Sequence, residues 1–329
     1  MKIGITGSTG GLGRRLTEIL IERGYSVKLL VRKTSKIENL PKGNIELVYG
    51  DITDLNSLKD FIKDIDICFH LAAQVDFTTK EKFFAINVQG TDNICRSILS
   101  HNPKCRLIYS STISVLRVLP YFKMRSSVYG VSKYYAEQLV MKYINKDSLK
   151  ATIIYPGLMF GYYDRNVIPL IIKNLQKDNV KLVKGGETLA PLIYVDDICD
   201  LFIKAAMTDI SIGKRYISVK GLDIGIHDFI KIIADKMGYK VSSKIYNKKL
   251  LFWHSLLLEW YYKLFKRGEK PPFYRTLVNV FSISYKDYKK VYDDPKKDLG
   301  WEQDTSREYT EKKVNMALEW LKNNDLKSK

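Results

Sequence analysis

The chain has 329 residues, 45% of them hydrophobic, and carries 54 Lys and Arg against 36 Asp and Glu, a formal net charge of +18. That length exceeds one typical domain and that hydrophobic share is enough for a full core, so one large domain with a smaller companion is expected. The lysines are spread along the whole chain with no long basic block and no nucleic-acid module, so the charge reads as a solvated surface and no nucleic-acid partner is expected.

Ile3 to Thr6 has the apolar, β-branched look of a short buried strand, and Gly7, Gly10 and Gly13 follow at intervals of three. A strand beginning at residue 3 leaves no room for a signal-peptide core, and no apolar run reaches the roughly 18 residues of a membrane span. Leu12 to Arg23 places Leu12, Leu16, Ile19 and Leu20 on one helical face and stops at Gly24, and Tyr25 to Val31 is a second strand. Strand, glycine turn, helix and strand make a βαβ unit. Its helix N-terminus offers backbone N–H groups and a positive dipole end to a pyrophosphate, so the expected ligand is a dinucleotide.

Arg32 and Lys33 stand where the second strand meets the adenosine ribose; a cation there suits a 2′-phosphate, which argues for NADP over NAD. Ile45 to Tyr49 reads as a third strand, ending in Gly50-Asp51-Ile52-Thr53-Asp54. Asp51 is a candidate acceptor for the adenine amino group, and Thr53 or Asp54 is expected to cap the helix carrying Leu55, Leu58, Phe61 and Ile62. Ile65 to Phe69 is a fourth strand running into His70-Leu71-Ala72-Ala73, where small residues let a flat cofactor lie against the backbone. His70 reads as a packed strand-end histidine rather than a catalytic base.

Asn87 to Thr91 is expected to open a helix continuing through Ile94, Ile98 and Leu99. Arg106 to Tyr109, a fifth strand, delivers Ser110, Ser111 and Thr112, hydroxyls placed either to donate to a substrate oxygen or to bond local backbone. Tyr129 and Lys133 lie one turn apart on a helix that runs on through Ala136, Leu139, Val140 and Tyr143. A cation there is expected to lower the tyrosine pKa, suiting acid–base work on an alcohol or carbonyl. Other Tyr/Lys pairs share this spacing, Tyr216/Lys220 and Tyr309/Lys313 among them, but only Tyr129 and Lys133 follow the serine-bearing strand in the nucleotide-binding half.

Taken in order, Thr6-Gly7-x-x-Gly10-x-x-Gly13, Gly50-Asp51-Ile52, His70-Leu71-Ala72-Ala73, Asn87-Val88-x-Gly90-Thr91, Ser110-Ser111-Thr112, Tyr129-Gly130-x-Ser132-Lys133, Tyr155-Pro156-Gly157, Gly161, Tyr194-Val195-Asp196-Asp197 and Leu299-Gly300-Trp301 resemble the extended short-chain dehydrogenase/reductases of the NAD-dependent epimerase/dehydratase group. The resemblance covers nearly the whole chain. It implies an α/β Rossmann fold, a doubly wound parallel sheet, with a smaller C-terminal substrate lobe: residues 1–155 as the NAD(P)-binding core and 156–329 as the lobe, with returns to the sheet near 192–219.

The resemblance further implies proton transfer by Tyr129, tuning of Tyr129 and a hold on the nicotinamide ribose by Lys133, and a hydroxyl on the reacting oxygen from Thr112. It assigns the cofactor to Gly7, Gly10, Leu12, Gly13, Arg32, Asp51, Ile52, Leu71, Ala72, Ala73, Asn87, Ser110, Tyr129, Lys133 and Pro156. Asn87 is read as a brace for the strand-end loops, and Asp196 and Asp197 as packing and capping residues. Many sugar-nucleotide members have Arg and Asn where this chain has Tyr155 and Leu158, and the Gly-Pro that follows is Gly161-Tyr162 here. The span from Thr112 to Tyr129 is also short. The chain therefore looks closer to the branch of dihydroflavonol reductases and 3β-hydroxysteroid dehydrogenase-like proteins.

Beyond residue 156, helices are expected over Val167–Leu175, Ile198–Met207 and Asp228–Met237, with a late strand at Tyr216–Val219. Leu250 to Lys266, LLFWHSLLLEWYYKLFK, is the most unusual segment: as a helix it leaves Ser255, Glu259, Lys263 and Lys266 as one narrow polar stripe. It reads as a lid over an apolar pocket, as a dimer contact, or as a helix lying in a membrane surface through 250–267 with Lys266-Arg267 on anionic lipid. Pro271-Pro272 separates it from the last lobe, where Thr305 with Glu308 makes a capping-box start for the final helix.

The four cysteines (Cys68, Cys95, Cys105, Cys199) contain no Cys-x-x-Cys and read as reduced interior thiols, and the four histidines show no metal-ligand spacing. No metal is expected. The sequence thus describes a homodimeric oxidoreductase, cytoplasmic or at a membrane surface, using NADP, or else NAD, on a fairly apolar ketone or secondary alcohol. The alternatives are a nucleotide-sugar epimerase or dehydratase with retained NAD, and a non-catalytic nucleotide sensor.

Overall fold

The computed structural model describes residues 1–76, 78–117, 127–177, 180, 182–184, 190–219, 222–241, 245–265 and 292–325. Lys266-Arg267 and Pro271-Pro272 lie outside the described residues. The chain forms two bodies, one of Met1–Gly157, Tyr194–Ser218 and Val291–Glu302, the other of Leu158–Ile193, Val219–Lys290 and Gln303–Lys329.

In the first body, β1 (Lys2–Thr6), β2 (Ser26–Val31), β3 (Ile45–Tyr49), β4 (Ile67–His70), β5 (Arg106–Ser110), β6 (Ala151–Tyr155) and β10 (Arg215–Ile217) build a parallel sheet in the order β10-β6-β5-β4-β1-β2-β3. This is the Rossmann arrangement: the order reverses beside β1, and the crevice at the carboxyl ends of β1 and β4 is the switch point where such sheets take ligands. Ile3, Ile5, Leu29, Phe69 and Ile108 are buried, because a parallel sheet covered on both faces needs apolar residues on both sides of each strand. Register is fixed by pairs such as Thr6 with His70 and Ile5 with Leu29.

Helix α1 (Gly11–Glu22) buries Gly13, Leu16, Thr17, Ile19 and Leu20. The three-residue spacing of the glycines has a steric cause. Gly7 sits at φ 78°, and a Cβ there would meet the Ala72 backbone nitrogen at 2.7 Å; one on Gly13 would run into the Gly7 carbonyl. The helix expected from Leu55 to Ile62 is a 3₁₀ turn (Leu55–Leu58) leading into α2 (Lys59–Ile62), and its cap is Asp54, which accepts from the Asn56 amide at 3.1 Å.

Asn87 does not open a helix. The chain is already helical from α3 (Lys80–Phe84), passes through a π-helical turn at Ala85–Gln89 and continues as α4 (Gly90–His101). The wide turn sets Asn87 inward, where it is buried, so the residue that looked like a helix start is a mid-helix feature. The expected helix over Tyr129 is α5 (Val128–Asp147), capped by Ser127, which accepts from the Gly130 amide at 3.0 Å.

The second body contains β7 (Leu158–Phe160), α6 (Ile168–Gln176), β8 (Leu182–Val183), most of β9 (Leu192–Tyr194), α8 (Ile226–Met237), β11 (Ile245–Tyr246), α9 (Lys248–Phe265) and the final described helix, which as α11 spans Arg307–Asp325. Between the two stretches of β-structure in the first body lies α7 (Val195–Met207), and α10 (Pro295–Leu299) follows near its end. Phe160 packs edge-on against Phe229 with ring centroids 5.1 Å apart. The capping box expected at Thr305 is not made: the Thr305 hydroxyl donates to Asp223 at 2.9 Å, and Ser306 accepts from the Tyr309 amide instead. A long-range carboxylate acceptor outcompetes the local cap.

Candidate active site

Local backbone places the candidate groups at the carboxyl ends of β1, β4 and β5. Gly10 precedes α1, its amide donates to the Gly7 carbonyl at 3.0 Å, and the first turn of the helix holds no acidic residue and no side-chain cap. The amides of Gly11, Leu12 and Gly13 therefore have no acceptor inside the helix. A Cβ on Gly10 would meet only the Gly7 carbonyl, at 3.3 Å, so the turn is open on that side while closed at Gly7 and Gly13. The Ser8 hydroxyl is buried with no hydrogen-bond partner among the described residues. An open glycine cradle, uncapped helical amides and an orphaned hydroxyl fit the pyrophosphate of a dinucleotide.

The other residues expected to meet such a ligand lie on the neighbouring strand ends and loops. Arg32 is exposed just past β2, its amide donating to Ser35 at 3.1 Å. Asp51 commits one carboxylate oxygen to the Thr53 amide at 2.9 Å and hydroxyl at 2.8 Å, and its other oxygen takes no part in that turn. Ile52 is buried, and its side chain occupies the space a Cβ on Gly90 would need. Leu71 donates its amide to the Thr6 carbonyl at 3.2 Å, so the half-buried Leu71-Ala72-Ala73 stretch lies along the glycine turn. Ser110 ends β5 half-buried, and buried Pro156 accepts from the Ile113 amide at 3.1 Å.

A hydrogen-bonded chain runs from the nucleotide strand to α5. Thr6 Oγ1 already accepts from the Ala72 amide at 3.2 Å, so its proton goes to His70 Nδ1, 2.7 Å away. Thr91 gives its own proton to the Asn87 carbonyl at 2.7 Å and so accepts from His70 Nε2 at 3.0 Å. The partners thus assign the Nε2–H tautomer. Burial, with the charge of Lys133 adding to it, pushes His70 down to about 3 and keeps the ring neutral. Asn87 clamps Gln74 from both sides, accepting from its amide at 2.7 Å and donating to its carbonyl at 3.1 Å. It also donates to Ser132 at 2.9 Å, which donates to the Tyr129 carbonyl at 2.8 Å. His70 is a packing residue and Asn87 a brace.

Thr112, Tyr129 and Lys133 are brought together. The Thr112 hydroxyl hydrogen-bonds Tyr129, but burial outweighs it and pushes the phenol up to about 12. Lys133 is buried, makes no ion pair among the described residues, and holds its ammonium 4.2 Å over the Tyr109 ring; burial pushes it down to about 7. The expected lowering of Tyr129 by Lys133 is therefore not realised. Both groups are desolvated and the lysine faces an aromatic ring, so burial outweighs the charge between them.

The three consecutive hydroxyls diverge. Ser111 turns away from Thr112 and donates to Glu137 at 2.9 Å. Glu137 is the residue sequence reasoning missed. It is buried one turn beyond Lys133, accepts also from Tyr155 at 2.6 Å, and its pKa is raised by burial against the pull of those two donors. Its charge is the one influence that raises Lys133. Its four-residue spacing from Lys133 was the available signal. Asp196, in the first turn of α7, pairs with Arg15 of α1 at 2.7 Å, and Asp197 receives the Trp301 indole N–H on its carbonyl at 3.2 Å. Both serve packing. All four cysteines are buried and free.

A glycine-turn Rossmann sheet with a buried threonine just past β5, facing a half-buried tyrosine and a buried lysine on α5, defines an extended short-chain dehydrogenase/reductase. The chain belongs to the NAD dependent epimerase/dehydratase family, whose model matches residues 3–216. It is 29% identical over 285 residues to the short-chain dehydrogenase/reductase family 42E member 1 of Xenopus laevis, covering 78% of this chain and 73% of that one. It is 25% identical over 328 residues to a 3-beta-hydroxysteroid dehydrogenase of Mycolicibacterium neoaurum, covering 91% and 86%. Its fold matches the dTDP-glucose 4,6-dehydratase of Streptomyces venezuelae, solved with NAD bound, at a TM-score of 0.73 and 19% identity over 98% of both chains.

Proposed function

We propose that the protein is an NADP-linked oxidoreductase that interconverts a ketone and a secondary alcohol on a fairly apolar substrate. The observation that carries this reading is the set of buried Thr112 and Lys133 with half-buried Tyr129, hydrogen-bonded to Thr112, beside the carboxyl end of the nucleotide-binding sheet. The glycine turn would hold a nicotinamide dinucleotide, with Arg32 toward its 2′-phosphate, and that group would supply or accept the hydride. Tyr129, a phenol protonated at neutral pH and pushed further up by burial, is the acid that delivers a proton to the substrate oxygen in the reducing direction. Thr112 shares a hydrogen bond with the Tyr129 hydroxyl and is placed to hold the same oxygen. Lys133 meets the phenolate that proton delivery leaves behind and stabilises it once charged.

The similarity to a steroid dehydrogenase, together with Tyr155 and Leu158 in place of the Arg and Asn of many sugar-nucleotide enzymes, supports an apolar substrate over a nucleotide sugar. The test is NADPH oxidation by the purified protein against a panel of apolar ketones, with Tyr129→Phe as the control. Turnover is expected, and the variant should lose roughly 10²–10⁴-fold in kcat while keeping its NADPH affinity. Undiminished activity refutes the role of Tyr129. Co-purified NAD that stays bound while a nucleotide sugar is converted would replace the reading with that of an epimerase or dehydratase.

A further inference from the structure

Helix α9 turns its apolar side outward. Its first turn is held by Asn247, which accepts from the Leu250 amide at 3.5 Å. Leu250, Trp253, Leu257, Trp260, Leu264 and Phe265 fall within an arc of about 140° at helical spacing, and all are exposed: Trp253 by 63%, Trp260 by 66% and Phe265 by 72%. Tyr261 lies on the same side, its ring 5.4 Å from that of Phe265. A helix closed as a lid over an apolar pocket would have these side chains covered within the chain; here they are exposed. So large a contiguous apolar face marks an interaction surface.

Charge and composition say what covers it. The helix sequence begins with Lys248 and Lys249, contains Lys263, is followed by Lys266 and Arg267, and has Glu259 as its one acid. A second copy brings the same cations and the same +18 to the contact, so like charges oppose like, whereas an anionic surface complements both. Tryptophan and tyrosine beside lysine are the residues that settle at a lipid headgroup boundary. At 18 residues the helix is about 27 Å long, and no helix among the described residues is long and apolar enough to cross a membrane. It is suited to lie in the plane of the surface.

We propose that α9 docks the protein on an anionic bilayer, with its tryptophans, leucines and Phe265 in the headgroup and acyl boundary and its lysines on acidic headgroups. The inference is independent of the reaction proposed above. The test is co-sedimentation of the full chain with vesicles of phosphatidylcholine containing phosphatidylserine, against vesicles of phosphatidylcholine alone, at low and high salt. Binding to the anionic vesicles is expected, weakened by salt and accompanied by a blue shift of tryptophan emission. Trp260→Ser with Phe265→Ser should reduce the partition coefficient about tenfold or more, and Leu257→Gln on the same face should act likewise, with thermal midpoints unchanged because all three side chains are exposed. No binding at low salt, or undiminished binding by the variants, overturns the proposal. So does a lipid-free dimer that the same substitutions convert to monomer, which assigns the face to a second copy.

Discussion

Replacing Lys133 by Met should stabilise the cofactor-free protein while abolishing turnover. Burial moves Lys133 from its ordinary 10.5 down to about 7, so the folded chain holds the ammonium at a cost the unfolded chain does not bear. At about 1.4 kcal/mol per tenfold in a protonation equilibrium, that cost is roughly 4 kcal/mol at pH 7. The Tyr109 ring under the ammonium at 4.2 Å returns about 1 kcal/mol. Methionine fills much the same space without charge, so a net gain of roughly 3 kcal/mol is expected, or about 4 °C in thermal midpoint for a chain of 329 residues.

The sign with pH is fixed. Between about pH 7 and 10.5 the unfolded state binds the extra proton, so the stability of the native protein rises with pH over that window. The advantage of the variant should therefore shrink to roughly 2 kcal/mol near pH 9 and vanish above about 10.5. Thermal unfolding of both proteins at pH 7, 9 and 10.5 reads this directly. A variant no more stable at pH 7, or one whose advantage does not fall with pH, refutes the desolvation argument.

Glu137→Gln should move the alkaline limb of the kcat/KM profile to lower pH, because the carboxylate is what raises Lys133; an unmoved limb would mean that Glu137 is uncharged in the working enzyme. Gly13→Ala, whose Cβ meets the Gly7 carbonyl, should cost about 1–3 kcal/mol of stability and remove dinucleotide binding by calorimetry. Retained binding would show that the turn is not the cradle. Arg32→Glu should swing the NADPH to NADH preference by roughly 10–100-fold toward NADH, measured as the ratio of kcat/KM values, and an unchanged ratio would remove Arg32 from the cofactor site.

The parallel sheet was legible because its strands are short apolar runs, buried on both faces except at the edge strand β3, that alternate with amphipathic helices; the boundaries moved by a residue or two, as where Ile65–Phe69 became Ile67–His70. The glycine turn was legible for a local reason, since backbone meets backbone at Gly7 and Gly13. What escaped the sequence was set by distant partners. Asn87 reads as a helix start until the π-helical turn and its bonds to Gln74 and Ser132 are seen. Thr305 has the spacing of a cap but gives its hydroxyl to Asp223, 82 residues away. Spacing together with position after the serine-bearing strand singled out Tyr129 and Lys133, yet said nothing of the Tyr109 ring and the burial that shift their pKa values.

The chain of hydrogen bonds through His70 has one more consequence. Every donor in it points the same way, from Thr6 to the Asn87 carbonyl, and that polarity holds only while the ring is neutral. With His70 pushed down to about 3, acid reverses no link of it in any pH range where the protein works. The tie between the strand that begins the nucleotide site and the turn that presents Tyr129 is thus deaf to proton concentration. The one histidine at the centre of the site is the group that keeps its geometry constant, and titration near neutrality is left to Lys133.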